Sequence, residues 1–154
     1  MCARINCGIN PQFLTDQHLI AESVEITMIT GNFRKNNYQI KSAIPEGFVL
    51  GKGHINFFKN KIAYLRDRLI EVNLELDRRG INHSTSIRCS EFPDEYVSGW
   101  APKMIDSKIV RHRISDRLRN PLKAKFGFHR YYGSIIINVD RFAESMLNSP
   151  LYHV

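Results

Sequence analysis

The sequence is poor in the features that mark membrane, secreted and metal-scaffolded proteins. No apolar run reaches the roughly 18 residues of a membrane span, and the first residues lack the charged-then-apolar layout of a signal peptide. A soluble, cytoplasmic protein with no membrane partner is expected. Cysteine is scarce: Cys2, Cys7 and Cys89 are odd in number and form no C-x-x-C pair, which argues against a disulfide framework and a thiolate zinc site. Histidines stand dispersed at 18, 54, 83, 112, 129 and 153 with no H-E-x-x-H spacing. Neither a metal nor another cofactor is expected. Internal repeats, low-complexity tracts and Pro-rich or Gly/Ser linkers are missing too, so the 154 residues read as one domain.

The chain is 43% hydrophobic and 24% charged, close to the globular average, which excludes wholesale disorder. Against 15 acidic residues stand 22 Lys and Arg, a net charge of +7 that favours a polyanionic partner. The charge is concentrated: Lys108, Arg111, Arg113, Arg117, Arg119, Lys123 and Lys125 are opposed only by Asp116, giving +6 in 18 residues. Phe126, Phe128, Arg130, Tyr131 and Tyr132 follow directly. Cations track a phosphate backbone and aromatic faces stack on splayed bases, so this stretch is a candidate nucleic-acid surface.

Apolar residues Phe58, Ile62, Leu65, Leu69, Val72 and Leu76 recur at steps of four and three, predicting one long helix from about Asn56 to Arg79 that ends at Gly80. Such a helix, about 24 residues at 1.5 Å each, spans roughly 36 Å, the width of the domain. A second helix is predicted from about Asp16 to Met28, capped by Thr15 or Asp16. A third follows Pro102, marked by Ile105, Ile109, Ile114 and Leu118, and stops before Asn120-Pro121. Residues 32–53 and 81–101 read as loops, and 133–139 as a short buried extended segment. The expected fold is mainly α, a single compact domain of about three helices packed around one long central helix.

The run Phe48-Val-Leu-Gly-Lys-Gly-His-Ile-Asn-Phe-Phe58, followed by Lys61, Leu65-Arg66 and Arg68, resembles the pyrimidine-dimer DNA glycosylases, the endonuclease V-like family of T-even phages. Arg4-Ile5-Asn6, Asp16-Gln17-His18-Leu19 with Ala21-Glu22 and Glu25, Arg34-Lys35, and Tyr131-Tyr132-Gly133 resemble further landmarks of that family in the same order. The resemblance marks residues 1–135 as a glycosylase-like domain, with 136–154 a C-terminal extension packed on or trailing from it. It implies a monomeric, metal-free and cofactor-free enzyme acting on double-stranded DNA, in a host cytoplasm if the source is viral. Such an enzyme flips the nucleotide, cleaves the glycosidic bond of a damaged pyrimidine and then breaks the strand at the abasic sugar.

The implied nucleophile is the α-amine of Cys2 after removal of Met1. An amine attacking C1′ displaces the base and leaves an imine, which acidifies the C2′ proton for strand elimination. An α-amine, with pKa near 7.7–8.0, has a neutral fraction at physiological pH that an ordinary lysine lacks. The Cys2 thiol is a second possible nucleophile. Glu25 matches the family's catalytic glutamate and would stabilise the cationic sugar and later take the C2′ proton. Glu22 would modulate its charge or hold a helix partner, His18 would orient the pair or serve a structural role, and Arg4 would bind a phosphate beside the lesion. The implied DNA-binding set is Arg34, Lys35, Arg111, Arg113, Arg117, Lys123, Lys125, Phe128 and Arg130, with Lys52 extending the footprint.

Three departures from the family pattern bear on activity. Ala3 intervenes between Cys2 and Arg4, Val24 and Met28 stand where the family has arginines, and Phe128-His129 stands where it has a Trp-Tyr pair. A glycosylase for a different modified base, and a DNA-binding protein on the same scaffold with little or no catalysis, are the alternatives these raise. A metal-dependent nuclease or an RNA-binding module fits the residues least.

Overall fold

In the computed structural model, which describes residues 4–120, 122 and 128–154, the chain forms five α-helices and one two-stranded hairpin among the described residues. The helices are α1 (Asp16–Lys35), α2 (His54–Phe58), α3 (Ile62–Arg78), α4 (Met104–Arg119) and α5 (Val139–Leu147). Strands β1 (Arg130–Tyr131) and β2 (Ser134–Ile135) pair antiparallel. The fold is mainly helical and forms one compact domain.

Helix α1 begins where the capping signal places it: the Thr15 hydroxyl accepts from the His18 amide at 3.1 Å. It runs seven residues past Met28, because Ile29, Thr30 and Phe33 continue the buried face set by Leu19 and Ile26. The predicted stripe on α3 is correct, with Ile62, Leu65, Leu69, Val72 and Leu76 all buried. The single 36 Å helix is not. It breaks at Lys59-Asn60-Lys61, where the Lys61 ammonium folds back onto the Phe57 carbonyl at 2.7 Å and caps the short α2. Apolar spacing is unaffected by the break, which is why periodicity alone does not reveal it.

Helices α1 and α3 pack in opposite directions. Arg79, just past the end of α3, bonds Asp16 at the start of α1 at 2.9 Å, and Arg68, earlier on α3, reaches Glu22 nearly two turns further along α1. The Arg68–Glu22 pair is bidentate, at 2.7 and 3.0 Å, and both side chains are buried. Removing one partner of such a pair typically costs about 3–5 kcal/mol, because the other charge is stranded.

Helix α4 starts after Pro102 as expected, but its buried face carries Ser107, Val110, Arg111, Ile114, Ser115 and Leu118. Ile105 and Ile109, expected in the core, are exposed. The 133–139 segment is also not buried: Ser134–Ile135 is an exposed strand, Ile137 is 95% exposed, and α5 starts at Val139. The helix α5 then buries Ala143 and Met146 against α4. No described helix is long and apolar enough to cross a membrane.

Candidate active site and DNA interface

Residues 4–6 lie as a strand-like stretch between α1 and α2. Successive amides of an extended chain point to opposite sides, and here each meets a side-chain acceptor. The Arg4 amide donates to Glu25 Oε2 at 2.8 Å, the Ile5 amide to His54 Nε2 at 3.0 Å, and the Asn6 amide to Glu22 Oε1 at 3.1 Å. Asn6 Nδ2 adds a bond to Glu22 Oε2 at 2.9 Å. Glu22 is thus filled by Asn6 and Arg68 and acts as the partner of helix α3. Glu25, one turn on, receives the Arg4 amide and is partly exposed.

Burial pushes the Glu25 carboxyl above the usual glutamate range, against the opposing pull of the Arg4 amide and of the Arg113 and Arg4 charges. His54 is placed by the Gly-Lys-Gly-His turn. Gly53 caps α2 at φ +97°, and a Cβ there would also come within 3.2 Å of Pro45. The ring is 1% exposed, and its Nδ1 meets the Val49 carbonyl at 2.7 Å.

The described hydrogen bonds of His18 go to Thr15 rather than to Glu22 or Glu25. Its Nδ1 bonds the Thr15 hydroxyl at 2.7 Å and its ring stacks on His129. Burial, then the nearby His129, Arg113 and Arg117, push its pKa down to about 3. Around this stack the start of α1 grips the hairpin. Gln17 donates to the Phe128 carbonyl and accepts the Arg130 amide, while Asp16 accepts the amides of Tyr132 and Gly133. Both loop residues have positive φ, +49° and +78°, the geometry of a tight two-residue hairpin turn that favours glycine at its second position. Arg79 bonds Asp16 and packs over the Tyr131 and Tyr132 rings at 4.7 Å. The separated sequence landmarks Asp16-Gln17-His18 and Tyr131-Tyr132-Gly133 are therefore two halves of one clamp.

The expected cations fall into distinct environments. Arg113 is half-buried beside the site, its Nη2 3.5 Å from Asn6 Oδ1, and Arg117 is half-buried near the histidine stack. Arg130 and Phe128 are exposed on the hairpin, as are Lys35 and Lys52. Arg34 lies in the last turn of α1, not on a loop, and pairs with Glu91, which also holds the Tyr38 hydroxyl. Arg111, expected among the DNA-binding cations, lies in the interior instead. It is 1% exposed, and its guanidinium is spent on the carbonyls of Gly8, Met146, Leu147, Ser149 and Pro150. Those carbonyls include the unsatisfied end of α5, which explains why a charged residue sits in the interior. Cys2, Lys123 and Lys125 lie outside the described residues.

The sequence profile of the pyrimidine dimer DNA glycosylase family matches residues 3–88, more than half of the chain. The chain belongs to this family. As a DNA glycosylase it binds DNA, and the matched part holds Arg4, Glu22, Glu25, His54 and Arg68, most of the constellation around residues 4–6, together with His18. Helix α4, the hairpin and α5 lie beyond the match, yet α4 brings Arg113 beside Asn6, and the segment ahead of the hairpin brings His129 against His18, with Arg117 of α4 nearby. Reasoning from sequence assigned no role to His54 or Arg68. The Gly-Lys-Gly-His run ahead of a helix was the available signal for the first, and an arginine one residue before Leu69 of the core stripe for the second.

Proposed function

We propose that the protein excises a damaged pyrimidine, a pyrimidine dimer first among substrates, from double-stranded DNA and then cleaves the abasic strand through an imine on its N-terminal amine. The observation that carries this reading is the Arg4 amide held 2.8 Å from the Glu25 carboxylate. Covalent geometry allows at most about 7 Å between the Cys2 and Arg4 nitrogens, so an amine freed by removal of Met1 stays within reach of a sugar facing Glu25. In the first step the amine nitrogen bonds to C1′ as the glycosidic bond breaks and the base leaves with its electron pair. Glu25, as carboxylate, opposes the positive charge that develops on the sugar. Loss of the amine proton and opening of the sugar ring give the imine, and removal of the C2′ proton expels the 3′ phosphate.

Arg4 is the candidate for a phosphate flanking the lesion. Arg113, Arg117, Arg130, Lys35 and the Phe128 ring, with Lys123 and Lys125, are the candidates for the wider footprint. Incubation with abasic-site duplex and borohydride is expected to give a covalent adduct that maps to Cys2. An adduct on an internal lysine, or undiminished trapping after N-terminal acetylation, overturns the assignment.

A second reading, DNA binding with little catalysis, is favoured by Val24 and Met28. They are 50% and 38% exposed on the turn of α1 that carries Glu25, and they offer phosphates no charge. Salt-sensitive duplex binding with no adduct and no incision of any damaged duplex supports that reading instead.

A further inference from the structure

The chain between Arg4 and Asn6 is held from both sides. Amides 4 and 6 face α1 and its two glutamates, whereas amide 5 faces away, toward His54. Without the imidazole the stretch would keep its anchors on one side only.

The bonding of the ring allows one protonation state. A carbonyl oxygen only accepts, so Nδ1 facing Val49 must carry the proton; the Ile5 amide only donates, so Nε2 must be bare. Protonation would set two N–H groups against each other at Nε2. The surroundings hold the ring neutral: Phe48 and Phe58 pack on it edge-to-face with centroids 5.4 and 5.1 Å away. Burial, Arg113 of α4 and Arg4 of the N-terminal stretch depress its pKa, while the Val49 carbonyl and Glu22 of α1 act in the opposite direction.

We propose that His54 is a positioning residue of this glycosylase: as the neutral Nδ1–H tautomer it pins the Ile5 amide and so sets the distance between the chain end and Glu25. The inference rests on the reading that the N-terminal amine is the nucleophile.

Two polar substitutions separate the two ring nitrogens. His54→Gln keeps a polar atom near the Nε2 position, and His54→Asn keeps one only near Nδ1. At saturating abasic-site duplex, borohydride trapping in a single turnover is expected to stay within threefold of wild type for His54→Gln and to fall at least tenfold for His54→Asn. DNA affinity should remain within twofold for both. Hydrogen exchange at the Ile5 amide, slow in the wild type and in His54→Gln, should quicken selectively in His54→Asn, and ring nitrogen shifts of the wild type should show a bare Nε2. Equal trapping by the two variants, or a protonated Nε2 in the folded wild type, overturns the proposal even if His54→Asn fails to fold. Should the wild type form no adduct at all, the nucleophile reading fails, while the Ile5 exchange and the ring nitrogen shifts still decide whether His54 holds the strand.

Discussion

The rings of His18 and His129 stack with centroids 5.2 Å apart and planes 3° from parallel, joining the first turn of α1 to the segment leading into the hairpin. Both rings are held below the ordinary histidine range, chiefly by burial, with Arg117 adding to the effect on each. Two neutral imidazoles stack without repulsion, and protonation of either would introduce a charge beside existing cations.

This relationship predicts acid sensitivity of a definite sign. Unfolded His18 takes a proton near pH 6.5 and folded His18 only near pH 3, so the unfolded state binds the extra proton between those limits. Stability from this residue is full above pH 6.5 and declines as pH falls toward 3, by at most about 1.4 kcal/mol per pH unit. His129 adds a change of the same sign. Urea midpoints at pH 7 and 4.5 check this: the wild type should lose more between them than His18→Asn, and equal losses would contradict the assignment.

Glu25→Gln is expected to lower base removal by about 10²–10³-fold, the scale seen when one electrostatic stabiliser of a transition state is removed. Duplex affinity should be unchanged or tighter, since a negative charge has gone. Because burial raises the folded-state pKa of Glu25, ionising it opposes folding above that pKa, and the penalty is relieved as pH falls through it. The Gln variant should accordingly melt no lower than the wild type at pH 7. In the wild type, protonation of the N-terminal amine should lower excision first on acidification, and a second decline, from Glu25, should follow at a higher pH than an ordinary glutamate would dictate. Rates on dimer-containing duplex over a pH series, beside calorimetry, test both halves.

Three arginines of α4 should separate by assay. Arg113→Ala and Arg117→Ala are each expected to weaken binding of any duplex and to reduce the slope of log affinity against log salt by about one. Arg111→Met should leave that slope alone but destabilise the fold by at least about 3 kcal/mol, because several buried carbonyls lose their donor at about 1–3 kcal/mol each. Fluorescence anisotropy over a salt series and urea denaturation distinguish the two behaviours.

Much of this was legible in the residues themselves. The Thr15 cap, the α3 stripe and the start of α4 after Pro102 follow from local rules. What escaped were properties set by distant partners. Arg111 reads as a solvated cation until the carbonyls 35 to 39 residues later close around it. His54 shows no role until Ile5 and Val49 fix its two nitrogens, and Ile105 and Ile109 read as core because a helix's apolar positions do not reveal that a buried arginine occupies its inner face.

Gly8 ties the two ends of the polypeptide together. Its carbonyl takes both the Arg111 guanidinium at 2.9 Å and the Tyr152 amide at 3.1 Å, and a Cβ there would lie 2.6 Å from Ser107 and 2.8 Å from Leu151. The family-matched part is consequently not a detachable module. An excised 3–88 fragment would retain Glu25 and His54 but lose the strap that backs residues 4–9. A cargo fused after Val154 would sit two residues from Tyr152, whose amide bonds the Gly8 carbonyl, so strain there is expected to reach residues 4–9.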